Sequence, residues 1–273
     1  MKKNILFFLI LTINVTQSQT VNIINLEKTL DETSGLEMIN NELLTFNDSG
    51  GEPALYYLNK KGKITNTRKL DGVKNNDWED ITKDDEYIYI ADFGNNFDAR
   101  KNLSIIKIPI DKSNNNVETI EFFYPEQVKF NTAYNFSQYD AEALISIDDF
   151  LIILTKNKLK KITELYKLPK IAGKYEAIKI GSIDTKSIIT AADYDINHKL
   201  LALTSTIIFN EYYVLKIQDF SLENLSNSKV EMFEIPIGKT QVEGIKIIDS
   251  NTFWITSEDE KSSSSARLMK IKL

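Results

Sequence analysis

The sequence predicts an all-β chain folded as a single five-bladed β-propeller of four-stranded antiparallel blades. Three observations predict it. Short runs of β-branched and aromatic residues follow one another along the chain, separated by Asn, Asp, Gly and Ser turns. A short motif recurs at Thr33-Ser34-Gly35-Leu36, Trp78-Glu79-Asp80-Ile81, Ala141-Glu142-Ala143-Leu144 and Val242-Glu243-Gly244-Ile245, with a weaker copy at Ala191-Ala192-Asp193-Tyr194. The copies are spaced by roughly 45–63 residues, a period that marks stacked supersecondary units. Finally, the fifth unit is one strand short, and a spare strand stands before the first. Pairing the two closes a ring, which leaves only short, protected sheet edges. Six blades, with Val128-Lys129-Phe130 in the extra one, and an irregular two-sheet sandwich are the alternatives.

The elements follow in order. Val21 to Leu26 is the spare strand. The first unit comprises Gly35–Asn40, Leu43–Phe46, Ala54–Leu58 and Ile64–Leu70, with a turn at Lys60-Lys61-Gly62-Lys63. The second comprises Glu79–Thr82, Tyr87–Asp92, Leu103–Ile108 and Thr119–Tyr124. Its extra length is assigned to Ser113–Asn116 and to a loop over Pro125–Tyr139. The third comprises Glu142–Ile147, Leu151–Thr155, Ile162–Leu168 and Tyr175–Ile180. The fourth comprises Ile189–Asp195, Leu200–Thr204, Tyr212–Ile217 and Val230–Ile235. The fifth has Glu243–Ile248, Thr252–Thr256 and Arg267–Ile271.

Composition narrows the class. With 273 residues and 42% hydrophobic content the chain can bury a large core. A net charge of −6 and a pI of about 5.1 argue against a general nucleic-acid binder, which needs a basic footprint. There is no cysteine, so disulfides, thiol nucleophiles and thiolate metal sites are excluded. Met1-Lys2-Lys3, the apolar run Ile5–Leu11 and the polar exit Thr16–Gln19 read as a signal peptide over residues 1–19, leaving a propeller domain over 20–273. The expected location is exported, whether periplasmic, cell-surface or secreted. No membrane span is expected after cleavage, and a monomer is.

In a propeller the first strand of each blade lines the central channel. The recurring position therefore points Ser34, Glu79, Glu142 and Glu243 toward one end of the axis, with Ala192 leaving a gap. Clustered, desolvated carboxylates repel. Either a cation sits among them or they are solvated in a wet channel and hold nothing. Oxygen donors without sulfur or imidazole suit a hard cation, Ca²⁺ before Mg²⁺. A second ring is expected where the second strands end, at Asp48, Asp92, Lys156, Ser205 and Glu258, with Asn47, Asn95, Asn96, Arg100 and Arg267 around it. Asp48, Asp92, Asn95, Lys156 and Glu258 are the candidate ligand-binding residues. Turn chemistry is the competing account of the Asn-Asp and Gly-Asn clusters.

Common catalytic motifs are missing. The single histidine, His198, falls in a turn between two strands, which disfavours a Ser-His-Asp triad. There is no HExxH, phosphate-binding loop or nucleophile elbow. Trp78 and Trp254 read as wedges between blades, with ligand platforms as the other role.

The combination Glu32-Thr33-Ser34-Gly35-Leu36, Phe46-Asn47-Asp48-Ser49-Gly50, Asp77-Trp78-Glu79-Asp80-Ile81 and Tyr89-Ile90-Ala91-Asp92-Phe93-Gly94-Asn95-Asn96 resembles the SdiA-regulated and esterase-like-phytase group of exported β-propellers. Asp140–Leu144 and Val242–Ile245 fit the same pattern. The chain also resembles the broader calcium-dependent propellers, including gluconolactonases and five-bladed calcium-activated apyrases. That resemblance implies Ca²⁺ at Ser34, Glu79, Glu142 and Glu243, with a departure at Ala191-Ala192. Two functions stay open. One is an exported calcium-binding module for a small-molecule, glycan or protein ligand at one face. The other is a calcium-dependent hydrolase of a phosphoester or lactone, with Asp92, Arg100 and Lys156 as candidate catalytic residues. The fold itself does not choose between them.

Overall fold

In the computed structural model, residues 19–207, 211–238, 240–259 and 265–273 are described. The proposed signal peptide lies outside these residues, apart from Gln19. Among the described residues, twenty-one strands form five sheets. The first blade in chain order contains β2 (Thr33–Ile39), β3 (Glu42–Asn47), β4 (Ala54–Leu58) and β5 (Ile64–Lys69). The second contains β6 (Trp78–Lys83), β7 (Tyr87–Asp92), β8 (Leu103–Pro109) and β9 (Glu118–Phe123). The third contains β10 (Ala141–Ile147), β11 (Phe150–Thr155), β12 (Thr163–Pro169) and β14 (Ile178–Ile183). The fourth contains β15 (Ile188–Asp195), β16 (Leu200–Thr206), β17 (Tyr212–Ile217) and β18 (Glu231–Ile235). The last contains β19 (Val242–Asp249), β20 (Thr252–Ser257) and β21 (Arg267–Lys272), and β1 (Thr20–Asn25) completes it by pairing antiparallel with β21. The chain thus closes its ring as the sequence suggests.

Two expectations are corrected. No sixth blade forms among the described residues: Val128-Lys129-Phe130 lies in a loop, with Val128 84% exposed. The strand expected over Tyr175–Ile180 is two strands. β13 (Gly173–Glu176) pairs parallel with β9 of the preceding blade, making that sheet five-stranded, and β14 resumes the third blade. Ala177, buried between them, donates its N–H to Phe123 O. The exchange covers the β9 edge, where exposed N–H and C=O groups would invite foreign pairing.

The core is five hydrophobic clusters, one at each interface between neighbouring blades. Successive residues of a middle strand serve different clusters. Ile88 and Ile90 face the first blade, while Tyr89 and Ala91 face the third. Both faces of each middle strand are therefore covered, which explains continuous apolar runs such as Leu151-Ile152-Ile153-Leu154. Trp78 is a wedge between the first and second blades, fully buried and edge-on to Phe46 at 5.3 Å. Trp254 plays the same part between the last blade and the first.

The inner strands β2, β6, β10, β15 and β19 pack side by side around the axis. Buried Asp80 reaches across between them. Its carboxylate accepts N–H bonds from Leu144 on β10 (2.9 Å) and Ala192 on β15 (3.3 Å), as well as from Ile81. Nearer the opposite end, Lys246 bridges Glu37 at 2.6 Å and Asp193 at 2.9 Å. These links tie together strands from all five blades between the two mouths of the channel.

Candidate functional site

Every inner strand carries a β-bulge near its start. The register slips between Ser34 and Glu37, Trp78 and Ile81, Ala141 and Ala143, Ile189 and Ala191, and Val242 and Gly244. A bulge re-aims a side chain. The pairs that open the five ladders at this end are Thr33↔Asn47, Trp78↔Asp92, Ala141↔Thr155, Ile189↔Ser205 and Val242↔Ser257, in the first blade followed by Ser34↔Phe46 before the slip. The equivalent positions are therefore Ser34, Glu79, Glu142, Thr190 and Glu243. This corrects the expectation at Ala192. The motif of the fourth blade is out of step by two residues, and the bulge position holds Thr190, which carries an oxygen. Ala192 instead contributes its N–H to Asp80.

The ladder continues one pair further. Asp48 N donates to Glu32 O, Lys156 N to Asp140 O and Glu258 N to Gln241 O, while Thr206 pairs with Ile188. In the second blade an extra residue, Phe93, turns into the core, and Gly94 N donates to Asp77 O instead. The outer ring is thus Asp48, Gly94, Lys156, Thr206 and Glu258. Asp92 and Ser205, expected in this ring, sit one step deeper.

Gly94 decides what this mouth can do. A Cβ there would overlap Glu79 Oε1 and stand 2.5 Å from Asp77 Oδ2, so the two carboxylates occupy the space a side chain would take. Asp48 joins them: one carboxylate oxygen from each of Asp48, Asp77 and Glu79 lies within 4.8 Å of the others. Buried Asn75 sets this approach. Its Nδ2 donates to Asn47 O at 2.8 Å and Asp48 O at 2.7 Å, and its Oδ1 accepts from Trp78 N at 3.2 Å. Asp92 holds the next stretch, accepting from Asp77 N, Asn76 Nδ2 and Arg100 Nη2, the last at 2.7 Å. Arg100 also donates to Gly94 O. Asp92 and Arg100 therefore shape the backbone behind the acids.

The electrostatics follow from crowding. Burial, then Glu142, Asp48 and Asp77, raise the Glu79 carboxyl well above its ordinary range. Burial, then Glu258 and Asp77, push Asp48 up to about 8. Burial also raises Asp77, although Arg100 opposes it. Glu142 differs, because Lys156 Nζ lies 2.7 Å from it; burial still lifts it to about 7 against that ion pair. Burial and then Glu32 lift Glu258 to about 7. Burial, Glu142 and Glu258 raise Glu243 well above its usual value. Burial works against charge on Lys156, yet Glu142, Asp140, Glu243 and Glu79 hold its pKa well above the usual value.

Each expected site residue can now be placed. Ser34 Oγ donates to Glu79 O at 2.7 Å. Glu79 stands in the close carboxylate group, Glu142 carries Lys156, and Glu243 faces a side cavity. Asn95 is buried, donating its N–H to Asp140 and accepting from Arg100 N at its Oδ1. Asp77, Gly94, Thr190 and Lys158 also stand at the site and are not among the residues the sequence pattern singles out. A signal for Asp77 is present: the residues just before four of the inner strands are Glu32, Asp77, Asp140 and Gln241, all polar, while the equivalent position of the fourth blade is Ile188, the first residue of β15.

No family model matches the chain, and no curated protein does. Among solved structures it is similar to the PQQ-bound form of aldose sugar dehydrogenase from Streptomyces coelicolor. The TM-score is 0.52 and the identity 11%, over 93% of this chain and 98% of that one. It is also similar to U3-55K, with a TM-score of 0.40 and 10% identity over 88% and 68% of the two chains. At such identity the first likeness is one of fold.

Proposed function

We propose that this propeller binds a divalent cation at one channel mouth and presents that face to an extracellular ligand. The carrying observation is the group Asp48, Asp77 and Glu79, gathered over Gly94 with Arg100 the nearest cationic partner, 3.9 Å from Asp77. Three crowded carboxylates cost free energy unless they are protonated or share a cation. The donor set is all oxygen, and the group is partly open to solvent, which suits Ca²⁺ keeping some waters. Asp48, Asp77 and Glu79 would hold the ion, which would supply a positive centre for a ligand oxygen. Glu142, with Lys156 as its counter-ion, is set apart from that role. The resemblance to the calcium-dependent propellers supports the same cation, and the N-terminal residues 1–19 support export.

A second reading, a cation-dependent hydrolase of a phosphoester or lactone, is favoured by one observation. Lys156 is held charged among Glu142, Glu243 and Glu79 at the same mouth, where it could neutralise developing negative charge.

The test is thermal unfolding of the chain from residue 20 onward in EDTA and then with added Ca²⁺ or Mg²⁺. Native-state binding stabilises by about 3–4 kcal/mol at a hundred to a thousand times Kd. No rise with either ion refutes the cation site. A phosphoester and lactone screen in the stabilising ion separates the two readings.

A further inference from the structure

Beside the acids, a cavity of about 330 Å³ opens between the third, fourth and last blades. That is near the lower end of the ~300–1,000 Å³ range of small-molecule sites. Its wall belongs to different blades from Asp48, Asp77 and Glu79. We propose that this cavity binds a polyhydroxylated ligand, a single sugar unit, packed against Tyr134 and hydrogen-bonded by Thr190, Gln241 and Glu243.

Three features carry the assignment. The lining divides into an aromatic and aliphatic part, with Tyr134, Tyr212 and Ile188, and a polar part, with Thr190, Gln241 and Glu243. A pyranose has the same division, with C–H faces for aromatic contact and hydroxyls around the rim. Next, the Glu243 carboxyl has no hydrogen-bond or ion-pair partner among the described residues, although it is partly buried. Gln241 spends its Nε2 on Glu258 at 2.7 Å, which turns its carbonyl oxygen to other partners. Thr190 Oγ1 meets Thr204 Oγ1 at 2.9 Å and retains capacity for a further bond. These are acceptors and a hydroxyl, suited to ligand O–H groups, and the two lysines that also line the cavity are each paired with a carboxylate, Lys156 with Glu142 at 2.7 Å and Lys158 with Asp140 at 2.8 Å.

The aromatic side is also held in place. Tyr134 sits in the 125–139 loop, which Asp98 anchors by accepting from Ser137 Oγ (2.8 Å), Gln138 N (3.1 Å), Tyr139 N (3.0 Å) and Thr132 Oγ1 (3.0 Å). Lys158 Nζ lies 3.7 Å from the Tyr134 ring centroid and is also bonded to Asn96 Oδ1 and paired with Asp140. The ring is thereby fixed at the cavity while remaining 38% exposed. A pre-positioned ring loses little freedom on binding.

The experiment is ligand-observed NMR and calorimetry on the chain from residue 20 onward, in EDTA and in Ca²⁺. The panel contains neutral hexoses and N-acetylhexosamines, matched carboxylates and phosphates, and a primary amine series. At least one neutral sugar is expected to bind in both media, which separates this site from the cation site. Tyr134→Ala, at a partly exposed position, should weaken it about tenfold or more, and Glu243→Gln by a similar factor. Unfolding curves establish that both variants fold; if Glu243→Gln does not, Tyr134→Ala alone decides. Binding only of anions or amines, no binding of any sugar at millimolar concentration, or sugar binding unchanged in Tyr134→Ala would each overturn the proposal.

Discussion

Gly94→Ala tests the cation site with one methyl group. The backbone at Gly94 lies outside the left-handed region, so alanine is conformationally acceptable and the effect comes through neighbouring side chains. The new Cβ would stand 2.5 Å from Asp77 Oδ2, while ordinary contact begins at 3.4 Å. Asp77 must therefore retreat by roughly 0.9 Å, and Glu79 further, against a ligand-distance tolerance of about 0.2 Å. In EDTA the overpacking should lower stability by about 1–3 kcal/mol. In Ca²⁺ the variant should lose, in addition, the ~3–4 kcal/mol that a well-occupied site supplies. For a chain of this size that increment is a rise in Tm of roughly 10 °C. The assay is thermal unfolding of wild type and variant in EDTA and across a Ca²⁺ titration. An undiminished Ca²⁺-dependent rise in Gly94→Ala would refute the assignment of Asp77 and Glu79 as ligands. Asp77→Asn, which keeps the shape and removes the charge, provides the same comparison without overpacking.

Four further outcomes are expected. Asp48 titrates near 3.8 when unfolded and about 8 when folded, so the folded state holds the proton more tightly. Its contribution to stability is full below pH 3.8 and lost as pH rises toward 8; by linkage this amounts to at most about 6 kcal/mol, shared with its acidic neighbours. Tm in EDTA should therefore fall between pH 5 and 8 while Ca²⁺ affinity rises, and a flat EDTA profile would contradict the crowding described. Glu142→Gln strands Lys156 among fewer acids and should cost about 3–5 kcal/mol with or without Ca²⁺; a loss confined to Ca²⁺ would return Glu142 to the ligand set. Trp78→Ala should destabilise by about 3–5 kcal/mol in denaturant unfolding by opening the interface with Phe46. Asp98→Ala should release the 125–139 loop to limited proteolysis and leave the Ca²⁺ response intact, because none of the three acids bonds to that loop.

The comparison between sequence and structure divides along covalent locality. Hydrophobic runs such as Leu151–Leu154 are strands because both faces of a propeller blade are covered, and that pattern is written residue by residue. The missing last strand and the spare first one were likewise legible, since closing a sheet edge is a general demand on exposed N–H and C=O groups. The channel-facing position was legible in blades whose copies carry Glu79, Glu142 and Glu243. It was misplaced in the fourth, where Ala191-Ala192-Asp193-Tyr194 imitates the motif two residues late and only the bulge at Thr190 reveals the register. The β13 exchange was hidden for a similar reason: Gly173–Glu176 and Ile178–Ile183 differ in which sheet they join, and sequence marks a strand without naming its partner.

The chain's order of residues determined the propeller, its five repeats, its closure, and an acid-rich channel mouth in a chain with no cysteine and a single histidine. Tertiary structure alone decided which acids meet. Asp48, Asp77 and Glu79 come from the first and second blades and converge because Phe93 turns inward, leaving Gly94 without a side chain at the point where two carboxylates need room. Lys156 is committed to Glu142, and Arg100 to Asp92, by distances of 2.7 Å that no spacing in sequence could supply. Pair energies at such a site depend on separations of a few ångströms and on burial, and both are set by how the blades pack, not by the identity of the residues in them.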